Sequence, residues 1–165
     1  MLSTIVRVAV PADFTNIRSL VFGAHMRALL PHDVTSRLER IFPSLANADA
    51  FAAPANHFWV AVDEGADDAV LGAISIISGE GGPDAAELNA FYVHDAHQRR
   101  GHGAKLFDAA LAFCRASGVR RVSLTSNKGH YDAAIAFYER RGFTRTAEFA
   151  VAPGIVLVEM ALELR

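Results

Sequence analysis

The hydrophobic and polar positions of this chain fall into short alternating runs separated by stretches of helical spacing. Residues 5–10 (IVRVAV) alternate as a half-buried strand does. Pro11-Ala12-Asp13 then opens a helix with Ile17, Leu20, Val21 and Ala24 on one face and Asp13 as its cap. A second helix follows Pro31, carrying Leu38, Ile41, Phe42 and Leu45 on one side. Residues 57–62 and 70–77 are β-rich, and the acidic DEGADDA between them reads as the exposed loop of an antiparallel hairpin. After the glycine-rich loop 79–86, residues 87–93 (ELNAFYV) predict another strand. Over 103–117, Leu106, Phe107, Ala110, Leu111, Phe113 and Cys114 form a helical stripe that Gly118 ends. Residues 119–125 predict a strand, with Arg120-Arg121 as a solvated edge. Asp132 caps a helix that Gly142 stops, and strands near 143–151 and 155–164 complete the chain.

The resulting order, βααβββαβαββ, predicts an α/β (α+β) fold. Its sheet is mixed and mostly antiparallel, with about four helices and one parallel pair where 87–93 crosses over to 119–125. With 165 residues the expectation is a single domain spanning 1–165. Composition narrows the function classes. A net charge of −2 gives no basic field for nucleic acid. No apolar run approaches the roughly 18 residues of a membrane span. The opening MLSTIVRVAVPADF lacks a secretory pattern, and a single cysteine suits a reducing compartment, so a cytoplasmic location is expected.

One segment conflicts with its own surroundings. Residues 98–104 (QRRGHGA) start a helix with two arginines, where the dipole is already positive, and with no Ser, Thr, Asp or Asn to cap it. The Walker A string is absent, and position 106 is Leu where a dinucleotide fingerprint needs its third glycine. What remains is an anion site at a helix start. Gly101 and Gly103 leave the backbone open to a ligand, and Arg99 and Arg100 become favourable once a polyanion is bound. A merely basic surface turn is the alternative.

The surrounding residues bear on that choice. The run ELNAFYVHDAHQRRGHGAKLFDAALAFCRASG, then VSLTSN, then AIAFYERRGF, resembles the GNAT superfamily of acyl-CoA N-acyltransferases. In that family a Q/R-x-x-G-x-G/A loop wraps the coenzyme A pyrophosphate at a helix start, and an F/L-Y-x-x-x-G-F signature lies on the next helix. Gln98-Arg99-Arg100-Gly101-His102-Gly103 and Phe137-Tyr138-Glu139-Arg140-Arg141-Gly142-Phe143 match the two, in that order. The close match covers residues 87–143.

The resemblance implies an acetyltransferase that moves acetyl from acetyl-CoA to a primary amine in a ternary complex, with acetyl-CoA and the amine as partners. Tyr138 would be the general acid for the departing thiolate, since a phenol of pKa about 10 holds its proton at neutral pH. Glu87 would be the general base for the incoming ammonium; a solvated strand-end glutamate, with water as the base, is the other reading. Phe91, Tyr92 and Val93 would pair with the pantetheine arm through their main chain. Ala104 and Ala134 complete the coenzyme contacts carried over from the resemblance. Many relatives have an asparagine where this chain has Tyr131; the contact falls to Asn127 or to no residue. A non-catalytic acyl-CoA-binding module is the alternative function. Homodimers are common in the family, but no exposed stripe marks an interface here. His94, His97, His102 and His130 show no metal-ligand spacing, and Cys114, on an apolar helix face, reads as a core thiol.

Overall fold

The computed structural model describes residues 3–26 and 34–165. In chain order its elements are β1 (Thr4–Val8), α1 (Phe14–Met26), α2 (Val34–Ile41), α3 (Ala48–Phe51), β2 (Asn56–Asp63), β3 (Ala69–Ser78), β4 (Ala85–Val93), α4 (His102–Ala116), β5 (Arg121–Lys128), α5 (Asp132–Arg140), β6 (Thr144–Ala152) and β7 (Ile155–Glu163). The strands form one sheet in the order β1-β2-β3-β4-β5-β7-β6. Every neighbouring pair is antiparallel except β4 and β5, which the crossover through α4 makes parallel.

Local chemistry differs from expectation at several element ends. Asp13 does not cap α1 from outside it. It closes a 3₁₀ turn at Pro11–Asp13, accepting from the Val10 N–H at 2.8 Å and pairing with Arg7 at 2.7 and 3.1 Å. Asp132 is likewise the first residue of α5, with Tyr131 at the cap position, and it accepts from the Gly129 N–H at 2.7 Å. The second helical stretch is broken. Pro43 has no N–H to continue α2, so a 3₁₀ turn at Pro43–Leu45 follows, and Asn47 then caps the short α3 by accepting from the Ala50 N–H. Leu38, Phe42 and Leu45 are buried as their spacing predicts, whereas Ile41 is 45% exposed. The expected start after Pro31 lies outside the described residues. Arg120 and Arg121 are exposed, but β5 is an interior strand, and Arg121 pairs with Glu163 on the neighbouring β7.

The sheet separates two cores because successive side chains of a strand face opposite ways. Trp59, Ile74, Ile76, Leu106, Phe107, Val122, Ile135 and Tyr138 pack on the α4–α5 side. Ile17, Val21, Leu38, Phe42, Phe58, Val60 and Ala90 pack on the α1–α3 side. Gly72 permits the close approach of α4. A Cβ there would sit 3.0 Å from the Tyr92 carbonyl oxygen and 3.1 Å from Leu106.

Strand β4 changes faces partway along. Ala86 and Leu88 belong to the α4–α5 core, yet Ala90 and Tyr92 pack on the α1–α3 side. The cause is a bulge: Ile76 pairs with Leu88 but Ile74 pairs with Phe91, which leaves one extra residue in β4. The buried Ser75 sits opposite, and its Oγ accepts from the Ala90 N–H at 2.9 Å. One inserted residue inverts the alternation, so every side chain beyond it changes side.

Candidate active site

The bulge lies where the sheet opens. β4 and β5 pair only through Ala85–Arg121, Ala86–Val122 and Glu87–Ser123, and beyond that point the two strands part. A cavity of about 760 Å³ occupies the gap. Its walls come from β4 (Glu87 to Asn89, Phe91, Tyr92), β5 (Leu124 to Lys128), the start of α5 with Tyr138, the end of α2, and the β6–β7 hairpin around Gly154. Residues from both faces of the sheet therefore reach one space.

Tyr138 enters from the α5 side. It is 6% exposed and packs its ring against Phe91, Phe107, Phe137 and Phe143 at centroid distances of 5.7 to 6.5 Å. Burial pushes its hydroxyl well above the ordinary phenol value, so it holds its proton at neutral pH. Glu87 enters from β4 and accepts from the Asn89 Nδ2 at 3.0 Å. Tyr92, also on β4, meets the Tyr131 ring edge-on at 6.4 Å. Burial first, and Tyr131 second, push the Tyr92 hydroxyl upward as well.

Of the residues singled out from sequence, Glu87, Phe91, Tyr92, Asn127, Ala134 and Tyr138 line this cavity. Val93 and the loop 98–104 do not. That loop continues from the far end of β4 into α4, and its backbone is unusual. Arg99 and Gly101 both adopt left-handed conformations, with φ of 61° and 83°. Gly101 occupies the helix cap with no side-chain hydrogen bond to the first turn. A Cβ on Gly101 would meet no atom within 4 Å, so the approach to the exposed N–H groups is open.

Within the loop the residues divide by role. Arg99 and Arg100 are exposed. Gln98 is turned back, donating to the Val93 carbonyl at 3.0 Å and to Asp95 at 3.1 Å, which pins the loop to the end of β4. The His102 side chain is buried and its Nδ1 has no partner; burial, then the cations Lys105 and Arg100 among its neighbours, keep it neutral. Gly103 faces β4, where a Cβ would sit 3.4 Å from the Phe91 ring, so the absent side chain serves helix–strand packing. Ala104 is half-buried in the first turn. On α4, Cys114 is fully buried, and burial pushes its thiol up to about 11. Among the described residues no cluster of three His, Cys, Asp or Glu is placed to hold a metal ion, and no helix is long and apolar enough to cross a membrane.

Sequence reasoning missed Asn89, Ser75, Arg40 to Phe42 and the β6–β7 hairpin. Strict alternation hid the first two, because nothing in ELNAFYV announces an inserted residue. The others reach the cavity only through long-range packing.

Comparison with known proteins agrees with this architecture. No curated protein matches the chain. Among solved structures, a GNAT-family acetyltransferase from Staphylococcus aureus Mu50 is similar, with a TM-score of 0.77 at 14% identity over 99% of this chain and 100% of that one. A GCN5-related N-acetyltransferase from Kribbella flavida gives 0.73 at 21% identity, covering 98% of each chain. The Salmonella typhimurium protein yncA, solved with its cofactor acetyl-CoA, gives 0.73 at 23%, covering 99% of this chain and 95% of that one. The family model described as acetyltransferase (GNAT) family matches residues 24–143, most of the chain. With the split sheet and the uncapped helix start already in place, the chain belongs to the GNAT acetyltransferase family.

Proposed function

We propose that the protein is a cytoplasmic N-acetyltransferase that transfers the acetyl group of acetyl-CoA to a primary amine of a small molecule or peptide within a ternary complex. One observation carries the reading. The parting of β4 and β5 brings a carboxylate, Glu87, and a buried phenol, Tyr138, from different elements onto one cavity. Those are the two groups that aminolysis of a thioester needs, a proton acceptor and a proton donor.

In this reading Arg99, Arg100 and the open N–H groups of the first turn of α4 hold the pyrophosphate of coenzyme A. The pantetheine arm adds to β4 as a further strand, through the main chain of Phe91, Tyr92 and Val93. Asn127, Ala104 and Ala134 flank it. Glu87 takes a proton from the ammonium, the amine attacks the acyl carbon, and the C–S bond breaks as the C–N bond forms. Tyr138 then protonates the leaving thiolate, and the second proton shed by the acylated nitrogen restores its hydroxyl. Backbone N–H groups near the bulge polarise the carbonyl, and fixed geometry supplies the rest of the acceleration.

The test is thiol release from acetyl-CoA in the presence of 2-phenylethylamine, spermidine, L-methionine, L-glutamate and an Ala-Ala-Ala peptide. Release that depends on at least one of these amines is expected. Binding of acetyl-CoA by calorimetry with no amine-dependent release would reduce the protein to a binding module.

A further inference from the structure

Asn89 has no role in the chemistry above, yet it lies on the cavity's β4 wall. Its Nδ2 donates twice, to Glu87 Oε1 at 3.0 Å and to the carbonyl of Ile41 at 3.2 Å. Ile41 is the last residue of α2, and it lines the same cavity. One amide thus links the strand that carries the carboxylate to the helix that walls the outer part of the pocket. The remaining atom of that amide is unsatisfied. Asn89 Oδ1 is shielded from solvent and has no hydrogen-bond partner. The two acceptors around Nδ2 fix the orientation of the amide, so turning it over would set Oδ1 against two oxygens.

We propose that Asn89 is a positioning residue: through its Nδ2 it holds the Glu87 carboxylate and the end of α2 in one arrangement. The inference rests on the proposed function, because it takes Glu87 as the base. Glu87 and Asn89 lie two residues apart on the same side of β4, just before the alternation inverts.

A double-mutant cycle separates this role from simple packing. The rate kcat/KM is measured for wild type, Asn89→Leu, Glu87→Gln and the double variant, with whichever panel amine the wild type turns over fastest. Calorimetric affinity for acetyl-CoA serves as the folding control, and Asn89→Ala replaces Asn89→Leu if the latter fails that control. The expected result is a loss of at least tenfold in Asn89→Leu with acetyl-CoA affinity unchanged, and less than a further twofold loss when Glu87 is already Gln. Equal losses in both backgrounds would make Asn89 a packing residue and overturn the proposal, as would wild-type turnover in Asn89→Leu. A wild type that turns over no amine removes the parent reading and this one together. Undiminished turnover in Glu87→Gln instead overturns the proposal while leaving acetyl transfer standing.

Discussion

A tyrosine can serve as a proton donor only if it stays protonated where the enzyme works, and burial among four phenylalanines ensures that for Tyr138. Because burial raises its pKa, the kcat–pH profile should show no alkaline limb from this residue below about pH 10. Tyr138→Phe should lower kcat at least tenfold while acetyl-CoA affinity holds. An alkaline limb below pH 10 that vanishes in Tyr138→Phe would contradict the assignment. Away from the site, Asp13 titrates in the opposite sense. Burial alone would raise its pKa, but the Arg7 guanidinium and the Val10 N–H outweigh that and hold the carboxyl below its ordinary value. A depressed folded pKa adds stability above the unfolded value near 3.9, and that stability is lost as pH falls through the lower folded value. Asp13→Asn should therefore cost about 1 kcal/mol at neutral pH in urea unfolding, with the difference closing in acid below about pH 4. A difference that persists unchanged at pH 2 would show that the ion pair is not its source.

At the scale of elements, the loop into α4 concentrates the conflict first visible in QRRGHGA. The arginines, the missing cap and the left-handed backbone of Arg99 are all unfavourable in an empty site. They are consistent with a loop shaped around an anion. Two substitutions separate shape from charge. Arg99→Gly removes left-handed strain and should raise thermal stability by up to about 1 kcal/mol, while weakening acetyl-CoA binding at least fivefold through loss of the guanidinium. Gly101→Ala adds strain and should lower both stability and affinity, by about 1 kcal/mol each. Thermal melts and calorimetry check the pair, and parallel changes in both variants would mean that charge has no separate role. The loop was legible from sequence because its signals are local: glycines, charges and an absent cap within seven residues. The bulge in β4 was not, since its signal is a hydrogen bond from Ala90 to Ser75, fifteen residues away.

For the molecule as a whole, the site depends on two cores that pack on opposite faces of the sheet. Phe107 anchors the α4–α5 core. It is 1% exposed, contacts Phe91, Phe137, Tyr138 and Phe143, and lies under the Arg141 guanidinium at 5.2 Å. Phe107→Ala should cost about 3–5 kcal/mol in denaturant unfolding, because rings from α4, α5 and β4 cannot all collapse into the space it leaves. A loss under 1 kcal/mol would mean that the core relaxes freely around the gap. The split between β4 and β5 is a property at this scale too. Neither strand contains a signal to part; the parting follows from which helices and strands pack against each of them beyond Glu87 and Ser123.

Amphipathic spacing and end signals were enough, from sequence alone, for the parallel crossover and for the order of elements apart from α3, while the resemblance to the GNAT family supplied the two motifs around α4 and α5. These are short-range properties, set by which residues within a turn or two share a face. Pro43 divides the second helical stretch, and Asp13 and Asp132 bond backward over three residues, for local reasons that hydrophobic spacing does not register. Only the tertiary structure decided that Gly103 serves packing against Phe91, that one extra residue inverts the faces of β4 after Asn89, and that Tyr138 reaches the cavity of Glu87 and Asn89 from α5. Those outcomes depend on partners far away in the chain, and local periodicity carries no record of them.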